Sequence, residues 1–80
     1  MTGDERLEDV FRQLLDAPDL RLTDATRFAE LPGWDSLVHV NTMFSLEETF
    51  GVTFAGDEFS RLHTVGLLKD SLRAKGALAQ

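Results

Sequence analysis

Ser36 is the residue of this chain best placed to take part in chemistry. It follows Pro32-Gly33-Trp34-Asp35 and opens a stretch with helical spacing of apolar residues. A helix start carries unpaired backbone N–H groups and a partial positive charge, so a phosphate attached there is favoured. Asp and Ser are equally the ordinary capping residues of helices, because both accept bonds from those amides. Ser36 and His39 stand three apart on one helix face, the spacing of a nucleophile and its base. A hydrolase would also need a third, orienting group and a pocket, and neither is evident. No ligand-spacing pattern surrounds His39 and His63, which argues against a metal site. His39 reads as a solvated or contact-face residue, and His63 as a loop residue. With no cysteine in the chain, there is no disulfide, no thiolate metal site and no protein thiol. Thioester chemistry would need its sulfur on an attached group.

The charge is informative once it is mapped. From Phe28 to Ser60 the acids are Glu30, Asp35, Glu47, Glu48, Asp57 and Glu58, with no Lys or Arg among them. That stretch accounts for the whole net charge of −6, since the remaining acids match the 8 bases. A bare acidic centre repels nucleic acid and steers basic protein surfaces toward it. It excludes a helix-turn-helix DNA binder. No apolar run is long enough to span a membrane, and no signal segment opens the chain, so the expected compartment is the cytoplasm.

The 80 residues, 42% of them hydrophobic, suit one domain near the lower size limit for an unstapled core. Thr2-Gly3-Asp4-Glu5 reads as a capping box, worth about 1 kcal/mol. Leu7, Val10, Phe11, Leu14 and Leu15 then predict a first helix over residues 3–16, ended by Asp16-Ala17-Pro18. Residues 17–35 lack periodicity and read as a long loop, anchored by Leu20, Leu22, Phe28 and Leu31, with Asp24 capping a short turn. The second helix runs from Ser36 to Phe50 and stops at Gly51. Val40, Met43, Leu46 and Phe50 are assigned to the core; Leu37, Asn41, Phe44 and Glu48 form a neighbouring, exposed stripe. Asp57 to Leu62 suits a short helix burying Phe59 and Leu62. Thr64 caps the last helix, whose inward stripe is Val65, Leu68 and Leu72. Lys69, Arg73 and Lys75 complement its dipole, Gly76 stops it, and Ala77 to Gln80 should fray. The expected architecture is all-α: a small four-helix bundle with three longer helices, one short helix and a long first loop.

Asp35-Ser36-Leu37 at the head of the second helix, with Leu46-Glu47-Glu48-Thr49-Phe50-Gly51-Val52 at its end, resembles the acyl carrier proteins. The resemblance spans about residues 5 to 73. It implies that a phosphopantetheinyl transferase moves 4′-phosphopantetheine from coenzyme A to Ser36, whose oxygen attacks while the transferase supplies base and metal. The acid matching Asp35 would lie beside that reaction centre. Gly33 would let the chain turn tightly, and Trp34 would pack on the loop or anchor a partner. The protein itself would be a non-catalytic monomer. Its arm would hold an acyl group as a thioester and present it to acyl-loading and acyl-accepting biosynthetic enzymes.

Recognition would be transient, through a small patch of Leu37, Val38, Asn41, Phe44, Glu47 and Glu48. Many fatty-acid carriers have acids at the positions of Val38 and Asn41, so this chain should lean more on apolar contact. Pro32 to Leu37 and His39-Val40-Asn41 resemble discrete carriers of secondary metabolism, including polyketide pathways. A peptidyl carrier of a nonribosomal system stays open, as does an unmodified interaction adaptor with the same fold. Beginning at Met1 and ending near its last helix, the chain reads as one stand-alone domain over residues 1–80, although an excised domain would look similar.

Overall fold

The computed structural model describes residues 3–78. Three α-helices, α1 (Gly3–Leu14), α2 (Ser36–Phe50) and α3 (Val65–Ala74), carry the fold. Two 3-10 turns, Phe28–Glu30 and Phe59–Arg61, lie in the connections. The all-α expectation holds, but the count of four helices does not: the expected helix over 57–62 is the second 3-10 turn. The reason lies just downstream. His63 offers its carbonyl to the Phe28 amide at 3.1 Å, and Thr64 forms an isolated antiparallel bridge with Arg27. Thr64 is thereby held extended directly after the turn, and a further helical turn has no chain to use.

Leu7 and Phe11 of α1 are fully buried. The helix ends two residues short of expectation, and proline is not what ends it. Asp16 adopts a left-handed conformation, φ 51°, while the Ala17 amide donates to the Arg12 carbonyl at 2.9 Å and Asp16 to Gln13 at 3.3 Å. That pair of bonds is a Schellman closure with aspartate in the usual glycine position. The expected capping residue Thr2 lies outside the described residues.

On α2 the inward stripe differs from the expected one. Thr42 and Leu46 are fully buried, Met43 and Phe50 pack half-buried beside them, and Val40 is 42% exposed. The core direction is set by His39, Thr42, Leu46 and Phe50; Val40 stands about 100° round the helix from His39. Polarity concealed this register, since a histidine and a threonine hold inward positions. Thr42 is satisfied there, its hydroxyl donating to the Val38 carbonyl at 2.7 Å. Gly51, at φ 67°, closes the helix as expected, with the Val52 amide bonded to Glu47 O at 3.1 Å.

The long first loop is pinned on both sides. Against α1, Arg12 Nε donates to Leu20 O at 2.9 Å and the Leu22 amide donates to Glu8 at 2.8 Å, while Arg12 also pairs with Glu8 and Asp9. Against α3, the amides of Val65 and Gly66 donate to Thr26 O and Asp24 O. A Cβ on Gly66 would stand 3.0 Å from Asp24 O, so any larger residue would push the loop back by a few tenths of an ångström. Lys69, expected to serve the helix dipole, instead bonds Asp24 at 3.1 Å and nears Asp4 at 3.8 Å. Asp24 therefore acts as a bridge to α3.

Thr64 caps α3 through the Leu67 amide, and Val65, Leu68 and Leu72 are fully buried, as expected. The expected fraying does not extend to Leu78, which is 6% exposed and lies over Gly3, where a side chain would collide with it. Residues 79 and 80 lie outside the described residues.

Glu58 ties the loop after α2 to α3. It accepts from the Ala55 amide at 3.0 Å, Ser71 Oγ at 2.8 Å and Lys75 Nζ at 3.1 Å. The Ala55 amide first, then Ser71 and Lys75, hold its carboxyl below the ordinary value of 4.5. A depressed carboxylate contributes stability above its unfolded pKa and loses it as pH falls through the folded value. Thermal denaturation of Glu58→Gln should therefore match acidified wild type more closely than neutral wild type, the gap between the two proteins closing below about pH 4.5. Gly51→Ala should cost about 1 kcal/mol in chemical denaturation, because alanine meets the left-handed penalty there.

Candidate functional site

The approach to α2 is set by three successive residues. Gly33 turns the chain at φ 75°, a conformation that residues with a Cβ rarely adopt. Trp34 donates its amide to Leu31 O at 3.2 Å, and its ring stacks on Phe28 at 5.4 Å and Phe11 at 6.1 Å. Of the two roles open to Trp34, packing on the loop is the one observed. Asp35 is extended, with φ −148°, and is the N-cap: its carboxylate accepts from the Val38 amide at 2.9 Å and its carbonyl from the His39 amide at 2.9 Å.

Ser36 is the first residue of the helix proper. It is exposed, and its hydroxyl has no hydrogen-bond partner among the described residues. Asp35 takes the amides of Val38 and His39, and those of Ser36 and Leu37 have no intrahelical acceptor. A free hydroxyl, two open amides and the positive end of a helix dipole suit a phosphodiester on that oxygen. Among the described residues no cluster of three or more His, Cys, Asp or Glu side chains could hold a metal.

His39 departs from expectation. It is half-buried, its ring 4.7 Å from that of Phe59 and edge-on to Trp34 at 5.9 Å. Packed in this way, and with no acid bonded to it among the described residues, it lacks the orientation a base for Ser36 would need. His63 is exposed in the loop before α3, as expected.

The expected contact residues are not equivalent. Leu37 and Phe44 are 68% and 57% exposed, and Asn41 and Glu48 are exposed with them. Val38 is half-buried. Glu47 is also half-buried, and one of its oxygens accepts from the Phe54 amide at 2.8 Å, holding the loop after α2. The structure adds Val40 to the outer face. Leu37, Val40 and Phe44 form a continuous apolar stripe at spacings of three and four. That spacing is visible in the sequence, but Val40 fits an inward stripe equally well there. Glu48 also lines an open groove between α1 and α2, with Val10 and Leu14 opposite. No helix among the described residues is long and apolar enough to cross a membrane.

Residues 5–72 match a family model described as a phosphopantetheine attachment site. The chain is also similar to a holo acyl carrier protein from Geobacter metallireducens, solved by solution NMR. The identity is 36% and the TM-score 0.83, with 96% of this chain and 88% of that one covered. Such carriers are non-catalytic, bear covalently bound 4′-phosphopantetheine, and interact with a phosphopantetheinyl transferase and with biosynthetic enzymes. A match of this extent, over a fold that presents a capped helix start with a free serine, shows that the chain belongs to the phosphopantetheine-binding acyl carrier protein family.

Proposed function

We propose that Ser36 carries the 4′-phosphopantetheine arm, and that the protein holds an acyl group on it as a thioester for enzymes of polyketide or related secondary metabolism. The observation that carries the reading is the free Ser36 hydroxyl at the Asp35-capped start of α2, inside the segment matched by the family model. The phosphodiester would rest on the amides of Ser36 and Leu37. Gly33 sets the turn that delivers the serine. Asp35 keeps its second carboxylate oxygen without a partner among the described residues, and so available at the transferase's reaction centre. The protein works as a monomer in the cytoplasm, one domain over its 80 residues.

Partners dock on Leu37, Val38, Asn41, Phe44 and Glu48, with Val40 added by the structure. Glu47 contributes charge while its bond to Phe54 holds the loop. The pathway assignment is supported by this face. Its centre is apolar, with Val38 and Asn41 at positions where, by the family resemblance, many fatty-acid carriers bear acids, so partners of this carrier rely more on hydrophobic contact. Small patches of this kind suit brief encounters, in which charge speeds association and apolar contact supplies the grip.

Co-expression with a broad-range transferase should add one phosphopantetheinyl group to the intact mass. Ser36→Ala should abolish that gain and leave the circular dichroism unchanged, since the hydroxyl makes no bond within the protein and Asp35 still caps the helix. A protein that no transferase modifies would instead be an adaptor sharing the fold. Phe44→Glu should slow acyl transfer to a partner enzyme while shifting stability by no more than about 0.5 kcal/mol. Leu46→Ala, a fully buried site, should cost about 2–5 kcal/mol in the same denaturation assay.

A further inference from the structure

Between α1 and α2 runs an open groove of about 500 Å³, lined by Val10, Gln13, Leu14, Ser45, Glu48 and Thr49. Val10 and Leu14 belong to the apolar stripe of α1, yet both stay only half-buried, while Leu7 and Phe11 beside them are fully enclosed. The rim is uncharged apart from one carboxylate. Glu48 has no ion pair or side-chain hydrogen bond among the described residues, and no base lines the groove to answer it. The two bases of α1 are committed elsewhere: Arg6 donates to Thr49 O at 2.6 Å and lies over the Phe50 ring, and Arg12 pairs with Glu8 and Asp9. Glu48 also stands in the last turn of α2, which holds no base of its own. A carboxylate at that end opposes the helix dipole, and a cation is favoured there.

We infer that this groove receives a basic amphipathic segment of a partner protein, with apolar side chains on Val10 and Leu14 and a Lys or Arg on Glu48. The inference rests on the carrier reading for what the partner is, an enzyme served by the arm, and it extends recognition from α2 onto α1. Shape selects the occupant first. A cavity of about 150 Å³ takes one benzene-sized group, so the groove has room for roughly three. It lies open, whereas small-molecule sites enclose most of their ligand. An amphipathic helix with anchors three and four residues apart suits such a trough. Charge selects next. Glu48 lies within the acidic stretch that carries the whole net charge of −6, so an approaching cation is steered toward it. A second copy of this chain brings the same sign, and α1 adds Asp4 and Glu5 in its first turn, so self-association is opposed. Continuity is the third observation. Phe44, 57% exposed, stands one turn before Glu48, so a segment in the groove also touches the outer stripe of α2.

The groove is set apart from the attachment point. Ser45 lies nine positions beyond Ser36, a rise of about 13.5 Å along α2. A segment seated between the helices therefore leaves Ser36 uncovered, and the arm stays free to enter the partner's cleft while the groove holds the partner.

Two synthetic peptides titrated into the ¹⁵N-labelled protein distinguish the occupants. One carries leucines at helical spacing flanked by lysines; the other is identical but has glutamates in place of the lysines. We expect the basic peptide to shift the amide resonances of Val10, Gln13, Leu14, Ser45 and Thr49, and the acidic one to leave them in place. Glu48→Gln should weaken the basic peptide about two- to fivefold, the worth of one exposed ion pair. Gln13→Trp, which fills the groove from an exposed position, should abolish binding, while Arg21→Trp, exposed outside the groove, should not alter it. The titration is run on the arm-bearing protein and on Ser36→Ala alike, so failure to acquire the arm overturns the carrier reading while the peptide result decides the groove. Equal binding of both peptides overturns the charge assignment, and shifts confined to Leu37, Val40 and Phe44 overturn the groove. Groove shifts on raising the protein concentration alone, with a dimer in sedimentation equilibrium, make a second copy the occupant and overturn the proposal. Absence of binding by either peptide overturns it too.

Discussion

The ring stack of Phe11, Phe28, Trp34 and Phe59 is the interaction on which the presentation of Ser36 depends. These four residues come from α1, the first 3-10 turn, the entry to α2 and the second 3-10 turn, with centroid separations of 5.4–6.4 Å. His39 closes the stack from α2 itself. Each such contact is worth about 0.5–1.5 kcal/mol beyond the apolar area it buries. Because Trp34 is only two residues from Ser36, anchoring its ring fixes the direction from which the chain enters the helix. The serine is then exposed on a rigid support, the arrangement a tethered arm requires.

A long irregular loop would ordinarily be the weak part of so small a domain. Here its backbone groups are engaged at close intervals. Amides or carbonyls of Leu20, Leu22, Asp24, Thr26 and Phe28 bond to groups on α1, on α3 or in the turn before α3. Since unpaired buried backbone is costly, these bonds answer a requirement that helices meet internally. The loop thereby behaves as a fourth packed element without being a helix.

The same framework separates two surfaces around one serine. Outward along α2 runs the apolar stripe of Leu37, Val40 and Phe44, bordered by Glu48 and suited to passing protein contacts. On the loop side lies the cleft of Arg27, His39 and His63, free of acids.

Much of this was legible in the order of residues. Proline, glycine, aspartate and serine in succession mark a turn and a helix start by local stereochemistry and capping, which depend on near neighbours alone. The ends of α2 and α3 at Gly51 and Gly76, the Thr64 cap and the inward Val65-Leu68-Leu72 stripe were legible for the same reason. The attachment reading, too, came from a local run. What the sequence could not settle was decided by distant contacts. His39 faces inward because Phe59, twenty residues on, offers it ring contact, and Thr42 is tolerated beside it because its hydroxyl is satisfied within the helix by the Val38 carbonyl; no polarity scale contains that information. Val40 faces outward as the geometric complement of that choice. Lys69 leaves the helix dipole for Asp24, and Glu47 turns to Phe54, because the folded chain brings a better partner within reach. Local rules thus determined where helices begin and end. Which faces turn inward, and which groups gather around Arg27, follow from pairings between residues far apart in sequence, and those exist only once the chain has folded.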